Sequence, residues 1–191
     1  KHPVYMPQMT PVGQSGLDLY VKLDGNWQWM GIGKPGNNSA DNESDLKKGI
    51  PANKKFEYML YLPLYSSVQS LQLGFSPGAK VEKVELSGKP LVFYGTSITQ
   101  GCSASRPGMP YPAILGRRFD LPEVNLGFSG NGTMDPEFAD ILANISSSAY
   151  VIDCLPNMGS MKTDEIRDRT VFLVEKLRAK RPETPIVLVE D

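Results

Sequence analysis

The chain has 191 residues, with 20 Lys and Arg against 21 Asp and Glu. The formal net charge of −1 removes the electrostatic case for a nucleic-acid or acidic-membrane partner, and no run approaches the roughly 20 apolar residues of a membrane helix. Two cysteines, Cys102 and Cys154, exclude a disulfide scaffold or a Cys-rich metal centre, and the single histidine, His2, stands far from every motif below. The opening Lys1-His2-Pro3-Val4 does not read as a basic-then-apolar leader. Asn37, Asn42, Asn131 and Asn144 each begin an N-x-[ST] pattern, which matters only in a secreted eukaryotic context.

The character of the chain changes near Ser87-Gly88-Lys89-Pro90, so the expected domains are 1–87 and 88–191. The first half reads as short strands. Residues 17–23 (LDLYVKL) alternate apolar and polar with period two, and Asp24-Gly25 then joins them to Trp27-Gln28-Trp29-Met30, a hairpin signal. Residues 33–49 are polar and rich in Gly and Asn, and read as a loop. Residues 56–62 form a further strand closed by Pro63; residues 68–75 and 81–86 alternate again. These five strands predict a small antiparallel β-sandwich.

In the second half the period switches. Residues 91–95 (LVFYG) are a short continuous apolar run, as in a strand covered on both faces. A helix is expected over 111–119, a strand over 124–128, and a helix after Asp135-Pro136-Glu137. Residues 150–155 read as the third strand, Thr163-Asp164-Glu165 as the cap of a long helix stopped by Pro182, and residues 185–189 as a fourth, buried strand. Four alternations of strand and helix predict an α/β domain with a parallel sheet covered on both faces. A chain ending at Asp191, directly after such a strand, is expected to be a fragment or to be completed by another polypeptide.

Ligands of open parallel sheets bind at the carboxyl edge of the strands. Two positions past the expected ends of the first three strands, at Gly95, Phe128 and Leu155, stand Ser97, Gly130 and Asn157. A hydroxyl, a glycine amide and a side-chain amide converging on one edge are the equipment for attack on an acyl carbon and for holding the resulting oxyanion.

Three motifs on successive strands carry a family resemblance. Residues 95–101 (GTSITQG) resemble the first block of the SGNH (GDSL-like) hydrolases, commonly G-D-S-x-T-x-G. Residues 125–131 (NLGFSGN) resemble the second block, and residues 153–158 (DCLPNM) sit where the third block places its asparagine. Residues 57–65 (EYMLYLPLY) resemble the β-sandwich domain that precedes the hydrolase in one bacterial branch. The resemblance implies a flavodoxin-like SGNH hydrolase domain, C-terminally truncated, behind the sandwich. It implies a serine esterase acting on acyl esters such as acetyl esters, with acylated carbohydrate as a substrate class and no metal or organic cofactor. Ser97 would be the nucleophile and an oxyanion amide, Gly130 a second oxyanion amide, and Asn157 the oxyanion side chain. A periplasmic or secreted location rests on the resemblance alone. Glycosylation at Asn131 would block such a site.

Two departures from the family pattern stand out. Thr96 replaces the usual Asp of the first block, and the D-x-x-H block that carries the general base and its orienting acid is absent. About 80 residues are missing relative to a domain of typical size. The 191 residues are therefore expected to be inactive alone, the base lying beyond Asp191. The missing histidine leaves open a non-catalytic carbohydrate-binding protein that reuses the fold, or a second chain that supplies the missing strand. Cys102 and Cys154 read as inert small residues rather than a reactive pair. Trp27 and Trp29, two apart on one strand, share a face and serve either packing or sugar stacking. Arg106 either lines the mouth of the site or is a solvated loop arginine.

Overall fold

The computed structural model describes residues 6–36, 41–51, 53–85 and 87–190. His2, Asn37, Leu86 and Asp191 lie outside them. The chain divides into two compact units, one of Lys1–Glu85 with Cys102–Met109, the other of Leu86–Gly101 with Pro110–Asp191. The segment 102–109, which chain order assigns to the second half, thus packs with the first.

In the first unit, α1 (Pro11–Ser15) starts where Thr10 accepts the Gly13 N–H on its hydroxyl at 2.9 Å and Pro11 fills the first helical position. β1 (Leu17–Leu23) and β2 (Asn26–Gly33) are antiparallel, with Leu23 opposite Asn26. Only Asp24 and Gly25 lie between them, both at positive φ (50° and 79°), as the favoured two-residue hairpin turn demands. β3 (Glu57–Tyr61) pairs antiparallel on the other side of β1, so the order is β2-β1-β3.

The sheet of this unit has three strands. Residues 68–75 and 81–85 make no ladder, and Leu71, Leu73, Phe75, Val81 and Val84 are exposed. Period-two alternation specifies a face, but a strand also needs a neighbour to take its backbone N–H and C=O groups, and among the described residues none pairs with these segments. A second difference concerns β1. Alternation puts Asp18 and Tyr20 on a polar face, yet Asp18 is fully buried and Tyr20 nearly so. The Cys102–Met109 segment covers that face: Gly108 N–H donates to Asp18 Oδ2 at 2.9 Å, and Arg106 pairs with the same oxygen.

In the second unit, β4 (Leu91–Gly95), β5 (Glu123–Gly127), β6 (Ala149–Asp153) and β7 (Ile186–Leu188) form a parallel sheet in the order β5-β4-β6-β7. Parallel neighbours require crossovers, and the helices supply them. α2 (Ser97–Gln100) and α3 (Tyr111–Phe119) follow β4, α4 (Pro136–Asn144) follows β5, and α5 (Leu155–Met158) and α6 (Thr163–Lys180) follow β6. Val92, Tyr94, Tyr150 and Ile152 of the sheet share one core cluster with Leu142 of α4 and Leu173 and Leu177 of α6, all at most 1% exposed. Each such side chain stabilises the fold by about 1.5–3 kcal/mol through removal from water. Phe93, also fully buried, meets Tyr111 of α3 edge to face at 5.6 Å.

One local expectation shifts. α6 begins at Thr163 with Lys162 in the cap position and no side-chain cap bond; Asp164 and Glu165 instead place negative charge in the first turn, which suits the helix dipole. β7, the last strand of the described residues, stands at the edge of this four-stranded sheet, with Val187 and Leu188 nearly half exposed. No helix among the described residues is long and apolar enough to cross a membrane.

Candidate active site

The strand order reverses at β4: β5 lies on one side of it, and β6, next in the chain, on the other. Such a switch point opens a crevice at the carboxyl ends of the two diverging strands. Ser97 follows β4 and Asn157 follows β6. Thr96, extended at φ −93° and ψ −163°, is the N-cap of α2, and its Oγ1 accepts the Ile98 N–H at 3.2 Å. The capping role open to a serine after a strand is therefore filled by Thr96. Ser97 becomes the first helical residue, half-buried, and no hydrogen bond engages its hydroxyl among the described residues. Gly101, at φ 110°, closes α2 after one turn and donates its N–H to the Ser97 and Ile98 carbonyls.

The second block is folded directly against the first. Phe128 N–H donates to Gly95 O at 2.9 Å, and the Asn131 and Gly132 N–H groups both turn back to Phe128 O. Gly130, exposed at the tip, has φ +71°, the left-handed region that favours glycine. Gly132 abuts the Gly95 carbonyl so closely that a Cβ there would collide with it. Gln100 of α2 accepts from Ser129 twice, from N–H at 3.2 Å and from Oγ at 3.0 Å. Behind the turn, Phe128 meets Phe138 edge to face at 5.3 Å, and Phe138 lies 4.7 Å from Tyr94.

Asn157 is placed differently from the sequence reading. β6 ends at Asp153, so Asn157 lies four residues past the strand, within the one-turn helix α5 rather than in a loop. One orientation of its amide sets Nδ2 3.3 Å from Phe128 O and 3.4 Å from Gly132 O. The other lets Oδ1 accept the Gly132 N–H at 3.1 Å and the Asn131 N–H at 3.3 Å. The second is favoured because it sets the amide oxygen against these two N–H donors and turns Nδ2 toward acceptors. Either way, Asn157 is tied to the loop that carries Gly130. The three expected residues are thus drawn together through their neighbours: Gly132 against Gly95, Ser129 to Gln100, Asn157 to residues 128–132. The expected spacing of two residues past each strand holds only for Ser97.

A model of the GDSL-like lipase/acylhydrolase family matches residues 88–191, more than half of the chain. The chain belongs to that family. Residues 1–81 match a second model, described as the N-terminus of SGNH-hydrolase-type esterases. A solved structure from Bacteroides ovatus ATCC 8483, described as a GDSL-like lipase, is 45% identical and superposes with a TM-score of 0.82; the match covers 96% of this chain and 53% of that one. The salicylyl-acyltransferase SsfX3 of a tetracycline biosynthetic pathway shares the fold at 24% identity and a TM-score of 0.67, over 90% of this chain and 51% of its own. The chain therefore spans about half the length of the solved structures it matches. No curated protein matches it.

Several polar residues of this GDSL-like chain were not singled out by sequence. Asp153 is only 5% exposed, and its Oδ2 accepts from Tyr111 OH at 2.9 Å and Thr99 Oγ1 at 3.0 Å. Burial above all, with the Asp153 carboxylate beside it, pushes the Tyr111 phenol well up, so it stays a proton donor. Burial likewise pushes the Cys154 thiol and the Tyr94 phenol up to about 12. Cys154 is fully buried and its thiol faces Tyr94 O at 3.7 Å, the environment of an inert cysteine. Both cysteines are free.

Within the first unit, Trp29 Nε1 donates to Asp18 Oδ1 at 2.9 Å, and the Arg106 guanidinium stacks on the Trp29 ring at 5.1 Å. Arg106 Nε lies 3.1 Å from Asp18 Oδ2, in ion-pair range but too poorly aligned for a straight hydrogen bond. Arg106 is thus held by Asp18 and Trp29, with its side chain 27% exposed. The one available signal was a lone Asp inside the apolar run of residues 16–20 (GLDLY). Among the described residues no group of three or more His, Cys, Asp or Glu gathers to hold a metal ion.

Proposed function

We propose that the natural protein is a serine ester hydrolase and that Ser97 is its nucleophile. The observation that carries this reading is the Ser97 hydroxyl, released from capping by Thr96 and set at the switch point beside the loop bearing Gly130, to which Asn157 is bonded.

The steps follow from the chemistry of these groups. Ser97 Oγ attacks the ester carbonyl carbon while a base removes its proton. The carbonyl π electrons move to oxygen, and the oxyanion accepts from the Ser97 and Gly130 N–H groups and from Asn157 Nδ2. Collapse of the tetrahedral intermediate breaks the bond to the alcohol, which leaves with the proton from the base. Water, deprotonated by the same base, then attacks the acyl-serine and releases the acid and free Ser97. The base proposed is a histidine with an acidic partner, contributed by sequence following residue 191. His2, the only histidine of these residues, does not match the family's D-x-x-H block. Acetyl or other short acyl esters, including those on carbohydrate, are the proposed substrates.

The experiment compares the 191-residue chain with the longer natural protein on p-nitrophenyl acetate, and treats the longer protein with a fluorophosphonate. The expected result is turnover by the longer protein only, with the label on Ser97. Full turnover by the 191 residues would place the base within them, and a label on another residue would remove Ser97 from the role.

A further inference from the structure

We infer that Asp153 is a positioning residue that sets the turn on which Ser97 is presented. This rests on the reading of Ser97 as nucleophile and extends it to a group beneath the site that does not touch the substrate.

The main chain of Asp153 accepts the Thr96 N–H at 3.1 Å, and its side chain accepts the Thr99 hydroxyl at 3.0 Å. One residue at the end of β6 therefore grips the chain on both sides of Ser97. The same Oδ2 takes the Tyr111 hydroxyl from the first position of α3 at 2.9 Å. The two hydroxyl oxygens are 3.1 Å apart, within hydrogen-bond reach of each other as well as of the carboxylate. Thr99 is fully buried.

Two physical facts argue against a merely incidental role. α2 is a single turn, far too short to be held by its own hydrogen bonds, so its geometry depends on outside ties. And a buried carboxylate with no cation among the described residues is costly relative to an apolar side chain of similar size. The carboxylate bonds the nucleophile turn at Thr99 while the main chain of the same residue holds Thr96, so its cost is offset where small displacements of that turn matter. Misplacement by about 1 Å costs on the order of 10²-fold in rate.

The test uses the longer natural protein with Asp153→Asn, Thr99→Val and Thr99→Ser, each compared with Ser97→Ala. The readouts are kcat and KM on p-nitrophenyl acetate and the fraction of molecules that a fluorophosphonate titrates. The expected result is a kcat lowered about 10²-fold in Asp153→Asn and Thr99→Val, with KM nearly unchanged and full titration at a slower rate. Thr99→Ser, which keeps the hydroxyl, retains wild-type kcat. Thr99→Val deletes no charge and supplies the answer where Asp153→Asn fails to fold. Wild-type kcat in Thr99→Val, or a loss that merely tracks the untitrated fraction, overturns the inference while leaving Ser97 in place if Ser97→Ala is dead. Turnover by Ser97→Ala overturns the underlying reading, and this inference with it.

Discussion

Each unit buries an aspartate on an internal strand, and the two are held in opposite ways. Asp18 on β1 faces a guanidinium, an indole N–H and a main-chain N–H. Asp153 at the end of β6 faces two hydroxyls, with no cation paired to it among the described residues. An ion pair attracts from many angles, whereas a hydroxyl bond weakens steeply once misaligned. The first arrangement is suited to fastening a segment, here Cys102–Met109, onto a small sheet. The second is suited to fixing the orientation of a short turn.

The largest effect expected concerns the second unit. Ser97→Ala should lower kcat by roughly 10⁶-fold in the longer protein, with an unchanged circular dichroism spectrum and melting temperature. The first unit offers the counterpart in stability. Arg106→Met withdraws the guanidinium from fully buried Asp18 and should cost about 3–5 kcal/mol, seen as a lower urea midpoint at unchanged slope. A change much below 1 kcal/mol would mean that the pair behaves as a surface contact and would erase the contrast between the two aspartates. Tyr111→Phe, which takes one hydroxyl from Asp153, should cost about 1–3 kcal/mol by the same measurement.

Smaller effects come from the raised acids of the second unit. Cys154 and Tyr94 have folded pKa values pushed up to about 12 by burial, above their ordinary ranges. Their contribution to stability is complete below the unfolded values and is lost as pH rises through the folded ones. The urea midpoint should therefore fall between about pH 9 and pH 12, less steeply in Cys154→Ala. At pH 8 a thiol reagent should modify half-buried Cys102 and leave Cys154 unmodified until the chain unfolds; equal rates would contradict the burial of Cys154.

Where sequence reading succeeded, the signal was local. Asp24-Gly25 declared its turn because few residues tolerate two consecutive positive φ angles. The apolar run 91–95 needed only periodicity, and α4 starts at Pro136 as expected, although Asp135 in the cap position makes no side-chain cap bond. Where it fell short, the cause was a partner distant in the chain. Asp18 looked solvent-facing because alternation cannot report that residues 106 and 108, some ninety positions later, cover it. Residues 68–75 carried the pattern of a strand and no information about a neighbour. Asp153 lies within the third block, but nothing nearby in sequence announces Thr99 and Tyr111 as its partners.

What residue order determined alone was the alternation of elements, the hairpin turn and the three blocks after β4, β5 and β6, because these follow from steric and periodic rules acting over a few residues. Tertiary structure decided which strands found neighbours, that Thr96 rather than Ser97 caps α2, that Asn157 sits in a helical turn bonded to residues 128–132, and that two aspartates lie inside. Those outcomes depend on burial and on hydrogen-bond partners brought from far along the chain, and neither is a property of a local stretch of sequence.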